Sequence, residues 1–214
     1  MIVLIGGEKG GTGKTTLAIH LAALRATAGS DLLLVDTDRQ GSASSWCAVR
    51  DEEGRAPRVA CVQKFGKGLG ADMRSMAGKY GDIVIDAGGR DSVELRAAMT
   101  VADVLYIPIQ ASQFDVWTLD AMNGLLEQVQ AINGRLRAFA VLNRASTNPA
   151  VKEAEDARAA FADYDHLRPA ASVIRDRISF RKAAREGCTV GELAERDPKA
   201  IAEIQAFYQE VFSG

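Results

Sequence analysis

Short apolar runs alternate with longer amphipathic stretches along this chain. Ile2-Val3-Leu4-Ile5 is β-branched, apolar and closed by Gly6-Gly7, a pattern that predicts a buried parallel strand ending in a turn. Across residues 14–28, Leu17, Leu21 and Leu24 recur at helical spacing among alanines, and Gly29 supplies a stop. Further buried strands are predicted at 32–35, 59–62, 83–85, 104–109 and 139–142, and helices at 42–49, 118–132 and 199–212. In the last of these, Ile201, Ile204, Phe207, Tyr208, Val211 and Phe212 form one stripe, which predicts packing on the core. Ser112-x-x-Asp115 has the order of a capping box before the helix that carries Trp117, and the glycines of 66–70 read as a loop. Strands alternating with helices imply an α/β fold, a doubly wound and mostly parallel sheet with helices on both faces. With no repeat, low-complexity tract or long linker, residues 1–214 are expected to form a single domain.

Composition narrows the functional classes. Hydrophobic residues make up 47% and charged ones 25%, with 26 Lys plus Arg against 28 Asp plus Glu. A chain so balanced is no polycation, so any nucleic-acid contact must come from a local patch. Cys47, Cys61 and Cys188 are scattered with no C-x-x-C pair, which points to reduced thiols used as small core residues and away from a disulfide frame or zinc site. The apolar start is interrupted by glycines and charges, and no apolar run reaches membrane-spanning length, so a cytoplasmic protein is expected. His20 and His166 have no partners at metal-ligand spacing, and Trp46 and Trp117 read as packing residues.

The chemistry concentrates in Gly7-Glu8-Lys9-Gly10-Gly11-Thr12-Gly13-Lys14-Thr15-Thr16, between the first strand and the first helix, where parallel α/β sheets bind ligands. Gly10, Gly11 and Gly13 leave bare amides that can converge on phosphate oxygens at a helix N-terminus. Lys14 would add a charge at the β- and γ-phosphates, the Thr15 hydroxyl would ligate magnesium, and Thr16 would reach the α-phosphate. ATP and Mg2+ are therefore the expected cofactors. Asp36 and Asp38 follow the second strand two residues apart and point the same way. Asp36 is assigned to the water shell of magnesium and Asp38 to orienting the attacking water, with capping of the helix at 42–49 as the other use of Asp36. Asp86 ends a further strand before Ala87-Gly88-Gly89-Arg90-Asp91-Ser92, where an acid can polarise a magnesium-bound water and the glycines let the loop follow the γ-phosphate.

Glu8 stands where the first glycine of an ordinary phosphate loop belongs, and Lys9 adds a second lysine. Lys9-Gly-Gly-Thr-Gly-Lys14-Thr-Thr resembles the deviant Walker A motif of the ParA/MinD family, and Val35-Asp36-Thr37-Asp38-Arg39-Gln40 is similar to that family's Val-Asp-x-Asp-Pro-Gln, with Arg39 in place of proline. The family's proline after the Asp86 position is also absent. The resemblance implies an ATPase whose loop, Glu8 included, surrounds the nucleotide, and whose Lys9 reaches across a homodimer to the partner's ATP. It further implies a small-class ParA without an N-terminal helix-turn-helix, associated with the nucleoid through non-specific DNA binding. A partner protein that binds a plasmid, chromosome or protein cargo would stimulate hydrolysis. Asn143 looks like the family's adenine-contacting residue, with a plain turn asparagine as the other reading. Arg168, Arg175, Arg177, Arg181, Lys182 and Arg185 form a basic cluster near the family's DNA-contacting segment; the other reading is a solvated face with internal ion pairs. A MinD-like membrane ATPase is the competing family reading, but Glu195, Asp197, Glu203 and Glu210 near the end of the chain argue against an anionic membrane as partner. An electron-transfer or metabolic ATPase on the same scaffold lacks its paired cluster-binding cysteines here.

Overall fold

The computed structural model describes residues 1–89, 91–110, 116–148 and 164–213. Arg90 and the capping-box residues Ser112 to Asp115 lie outside the described residues, as does the side chain of Trp117. Strands β1 (Ile2–Ile5), β2 (Leu32–Asp36), β3 (Ala60–Gln63), β4 (Asp82–Asp86), β5 (Val104–Ile109), β6 (Arg137–Ala145) and β7 (Arg168–Arg175) form one sheet in the order β3-β2-β4-β1-β5-β6-β7. Every pairing is parallel, so the expectation of a mostly parallel sheet becomes an all-parallel one among the described residues.

Such a sheet must be covered on both faces, and the strands divide their side chains accordingly. Val3 and Ile5 of β1 enter one apolar layer with α1 (Lys14–Thr27), α2 (Ser42–Glu52), α6 (Ile178–Arg185) and α7 (Pro198–Ser213). Ile2 and Leu4 enter the other, with α3 (Leu69–Ala77), α4 (Val93–Met99) and α5 (Val116–Gln130). The terminal stripe behaves as the spacing predicts: Ile204, Phe207 and Val211 are buried, and Phe207 meets the Tyr106 ring edge-on at 5.0 Å. The winding reverses beside β1, with β4 and β2 on one side and β5 and β6 on the other. That reversal opens a crevice at the carboxyl ends of the strands, and the glycine-rich loop after β1 fills it.

One expectation changes, and two further elements were not predicted. Residues 66–70 are not wholly loop, because α3 begins at Leu69, whose side chain is fully buried. The short helix α4 was not apparent from periodicity, being only seven residues long. The basic stretch from Arg168 is an edge strand before it is a helix. Its outward amides are already engaged: those of Ala171 and Ser172 donate to Glu210 at 2.8 Å each, and that of Arg175 donates to Glu203 at 3.1 Å.

Candidate active site

The loop between β1 and α1 takes its shape from two close approaches. Gly13 has φ +90°, and any Cβ there would collide with the Asn143 amide, so position 13 tolerates no side chain. On the other flank, a Cβ on Gly89 would stand 2.8 Å from Gly10 Cα, which lets the loop after β4 lie directly on the phosphate loop. Asn143 is buried and donates to Thr12 O at 2.6 Å, and Gln110 donates to Gly11 O at 3.0 Å. The Asn143 amide of β6 and the Gln110 amide just after β5 clamp the loop, so Asn143 is no free turn residue, and it also lines a small pocket with Gly13, Thr16 and Arg144.

Lys14 opens α1, is largely buried and donates to the Lys9 carbonyl at 2.6 Å. Desolvation holds its pKa below the usual lysine range, against the attraction of Asp86 and Asp38. Lys9 is half-buried at the rim of the loop. The Thr15 hydroxyl donates to Asp86 Oδ2 at 2.7 Å, which brings two of the three predicted magnesium residues together. Asp86 is fully buried, and its Oδ1 has no hydrogen-bond partner. Burial pushes its pKa up to about 7, with the Thr15 hydrogen bond opposing and Asp36 adding to the rise.

A buried carboxylate oxygen without a partner is rare, and a cation or its bound water is the chemistry that satisfies it. The Thr15 and Asp86 pair thus fits magnesium. Among the described residues no group of three His, Cys, Asp or Glu side chains could hold a metal unaided, as befits an ion that keeps waters and takes phosphate oxygens from a nucleotide. Asp36 has a different surrounding. Its Oδ1 accepts from the Asp38 amide at 3.0 Å and its Oδ2 from the Ser44 amide at 2.9 Å. It therefore holds the first turn of α2, the capping use that the sequence left open. Asp38 accepts from the Gln40 amide at 3.0 Å and would contact a Cβ on Gly88, so it faces the loop after β4.

Residues 3–190 match the family described as the CobQ/CobB/MinD/ParA nucleotide binding domain. The chain belongs to this family. It is 29% identical over 167 residues to the chromosome-partitioning ATPase Soj of Thermus thermophilus, covering 65% of this chain and 67% of that one. It is 25% identical over 208 residues to the maintenance of carboxysome distribution protein A of Halothiobacillus neapolitanus, covering 97% and 94%. A putative plasmid partition protein of Borrelia burgdorferi, solved with AMPPNP, superposes with a TM-score of 0.72 at 21% identity, over 99% of this chain and 98% of that chain.

In this ParA/MinD-type domain the basic cluster is not contiguous. Arg168 begins β7, and the remaining cationic residues follow from its far end, about 25 Å away at strand rise. Arg175 and Arg177 both pair with Glu203, at 3.1 and 2.7 Å, and Arg177 is only 14% exposed. On α6 and its approach, Arg181 pairs with Asp176 and Lys182 with Glu195, both on the surface, and among the described residues Arg185 has no ion pair.

Two buried polar residues give this domain struts that the sequence did not announce. Arg50 of α2 is fully buried against the segment after α6. His20 of α1 contacts Thr16 O through Nδ1 at 2.7 Å, accepts the Val190 amide on Nε2 at 3.2 Å, and meets Phe180 of α6 at 5.3 Å. These partners require the neutral tautomer with hydrogen on Nδ1. Burial depresses its pKa to about 4, against Thr16 and the charge of Glu192, which both favour protonation. Since the folded value lies below the ordinary 6.5, this contribution to stability is full above pH 6.5 and is lost as pH falls through 4. Urea unfolding of wild type against His20→Gln should show wild-type stability falling more steeply between those limits; parallel curves would refute it.

Proposed function

We propose that this chain is a magnesium-dependent ATPase that pairs around ATP, binds DNA without sequence preference as a dimer, and lets go after hydrolysis. By this cycle it positions a plasmid, chromosome or protein cargo through a cargo-bound partner protein. The carrying observation is the buried Asp86 oxygen without a partner beside the Thr15 hydroxyl and the Lys14 ammonium. Bound there, magnesium would neutralise charge developing on the phosphates, held by Thr15 and Asp86. The chain's own groups do the positioning. Lys14 exchanges the Lys9 carbonyl for phosphate oxygens, the amides of residues 10–13 cradle them, and Asp38 orients the attacking water from beside Gly88. The relatives named as a partitioning ATPase and a carboxysome-distribution protein, and the AMPPNP-bound partition protein, support this reading.

One lysine and one magnesium leave the transferred phosphoryl group short of positive charge, and Lys9 of a second copy is the proposed remedy. Lys9→Ala is expected to keep ATP binding while losing ATP-dependent dimerisation and turnover, read by light scattering and phosphate release. Unchanged turnover would refute the exchange.

For DNA, the ion pairs decide among the arginines. Exposed pairs such as those of Arg181 and Lys182 are worth about 0–1 kcal/mol and yield readily to phosphates, whereas Arg175 and Arg177 share one largely buried glutamate. We therefore assign contact chiefly to Arg181, Lys182 and Arg185. The triple change of these to glutamate should abolish ATP-dependent, salt-sensitive DNA binding with turnover in the absence of DNA intact. Binding that persists in the triple variant would remove α6 from the interface.

A further inference from the structure

Scattered in sequence, two of the three cysteines are brought into one apolar layer by the fold. Ser44 and Cys47 stand one turn apart on α2, and Cys47 and Cys61 pack in the same apolar layer. Ser44 Oγ lies 3.7 Å from Cys61 Sγ, so Cys47, one turn on from Ser44, lies in the layer beside that sulfur. Cys61 belongs to β3, an edge strand of the sheet, and is partly exposed, while Cys47 behind it is 6% exposed. Cys188 is completely buried after α6.

We propose that Cys47 and Cys61 form a peroxide-responsive dithiol whose disulfide ties α2 to the sheet edge and slows ATP turnover. Cys61 is partly exposed, so peroxide reaches its sulfur first, while Cys47 lies buried behind it. Cys61 is thus the attacking thiolate and Cys47 the resolving thiol. Cys61 Sγ attacks hydrogen peroxide; the O–O bond breaks, one water leaves and a sulfenic acid remains. Cys47 Sγ then attacks that sulfur; the S–S bond forms, the S–O bond breaks and a second water leaves. The two thiols are oxidised by two electrons in total, and one peroxide is reduced to two waters.

The effect on turnover rests on the ATPase reading above. The Ser44 amide holds Asp36 at 2.9 Å, and the turn that leads into α2 carries Asp38. A covalent tie one helical turn further on restrains the segment that must place the attacking water, and small misplacements there are expensive in rate.

The test treats the whole protein with hydrogen peroxide, blocks the remaining thiols and maps the products by mass spectrometry. We expect a single cross-link between the peptides that contain Cys47 and Cys61, reversed by dithiothreitol, with Cys188 alkylated only after denaturation. Turnover should fall about tenfold on oxidation of wild type, and should not change in Cys47→Ser or, as a second variant, Cys61→Ser. A sulfinic acid at Cys61, a disulfide between two copies, or first reaction at Cys188 would overturn the dithiol. A correct cross-link with unchanged turnover would overturn the effect on rate. If the untreated protein turns over no ATP, the ATPase reading fails instead, and the cross-link stands or falls by itself.

Discussion

Asp86→Asn is expected to remove ATP turnover and at the same time to stabilise the nucleotide-free protein. The carboxyl group is fully buried, one of its oxygens has no partner, and burial raises its pKa to about 7. Because the folded value lies above the ordinary 3.8, the favourable protonated form is lost as pH rises from 3.8 through 7. At pH 8 the wild type carries a buried charge that asparagine does not, while the amide oxygen can still accept from Thr15. Leaving such a group unpaired costs on the order of 1–3 kcal/mol, so urea unfolding without magnesium or nucleotide should show a gain of that size at pH 8, fading toward pH 5. Phosphate release should fall by about a hundredfold or more, as when a preorganised charge contact is removed from a transition state. Equal stability of the two proteins at pH 8 would place the carboxylate in a better-solvated site than the geometry indicates. The pairing of lost activity with gained stability separates a functional carboxylate from a structural one.

Arg50→Met should have the largest effect on stability. The guanidinium is fully buried; it donates to Glu192 at 2.8 and 3.0 Å, to Pro57 O at 3.0 Å and to Gly187 O at 3.2 Å, and lies 5.3 Å from the Trp46 ring. Methionine fills much of the volume but takes the donors from two carbonyls and leaves the half-buried Glu192 carboxylate with the Thr189 amide at 2.7 Å in place of a guanidinium. Breaking a buried pair from one side costs about 3–5 kcal/mol, and the exposure of Glu192, at 29% of its side chain, puts the expected loss at the lower end. Adding Glu192→Leu should recover part of it, because a pair replaced on both sides leaves no lone charge. A loss under about 1 kcal/mol in the single variant would show that water reaches the site freely.

What the sequence disclosed follows from how local each signal is. The phosphate loop, β1 and the strands that end in Asp36 and Asp86 are written in contiguous residues, so spacing alone located them. Strand β7 escaped because Pro169 and its terminal arginines break the apolar pattern, and its burial comes from α7, more than twenty residues on. The struts Arg50 and His20 depend on partners 142 and 170 residues away. On its own helix each looks like an ordinary polar residue, and no periodicity reveals a bidentate acceptor elsewhere in the chain. For Asp36, motif and geometry both speak: the motif assigned it to magnesium, and the amides of Asp38 and Ser44 show how it also fixes the start of α2. The same limit applies to charge. Six basic residues between 168 and 185 suggested one patch; strand length sets Arg168 apart, and Glu203 holds Arg175 and Arg177 while the pairs of Arg181 and Lys182 stay on the surface.

The carboxylates of Glu203 and Glu210 on the outward amides of β7 have a consequence for assembly. A neighbouring molecule cannot extend the sheet there by adding a strand without first displacing both acids, so that flank is closed to fibre-like growth. Of the two edges of the sheet, β7 is therefore guarded by acids from the last helix, and strand addition at that side would have to break three amide-to-carboxylate hydrogen bonds first.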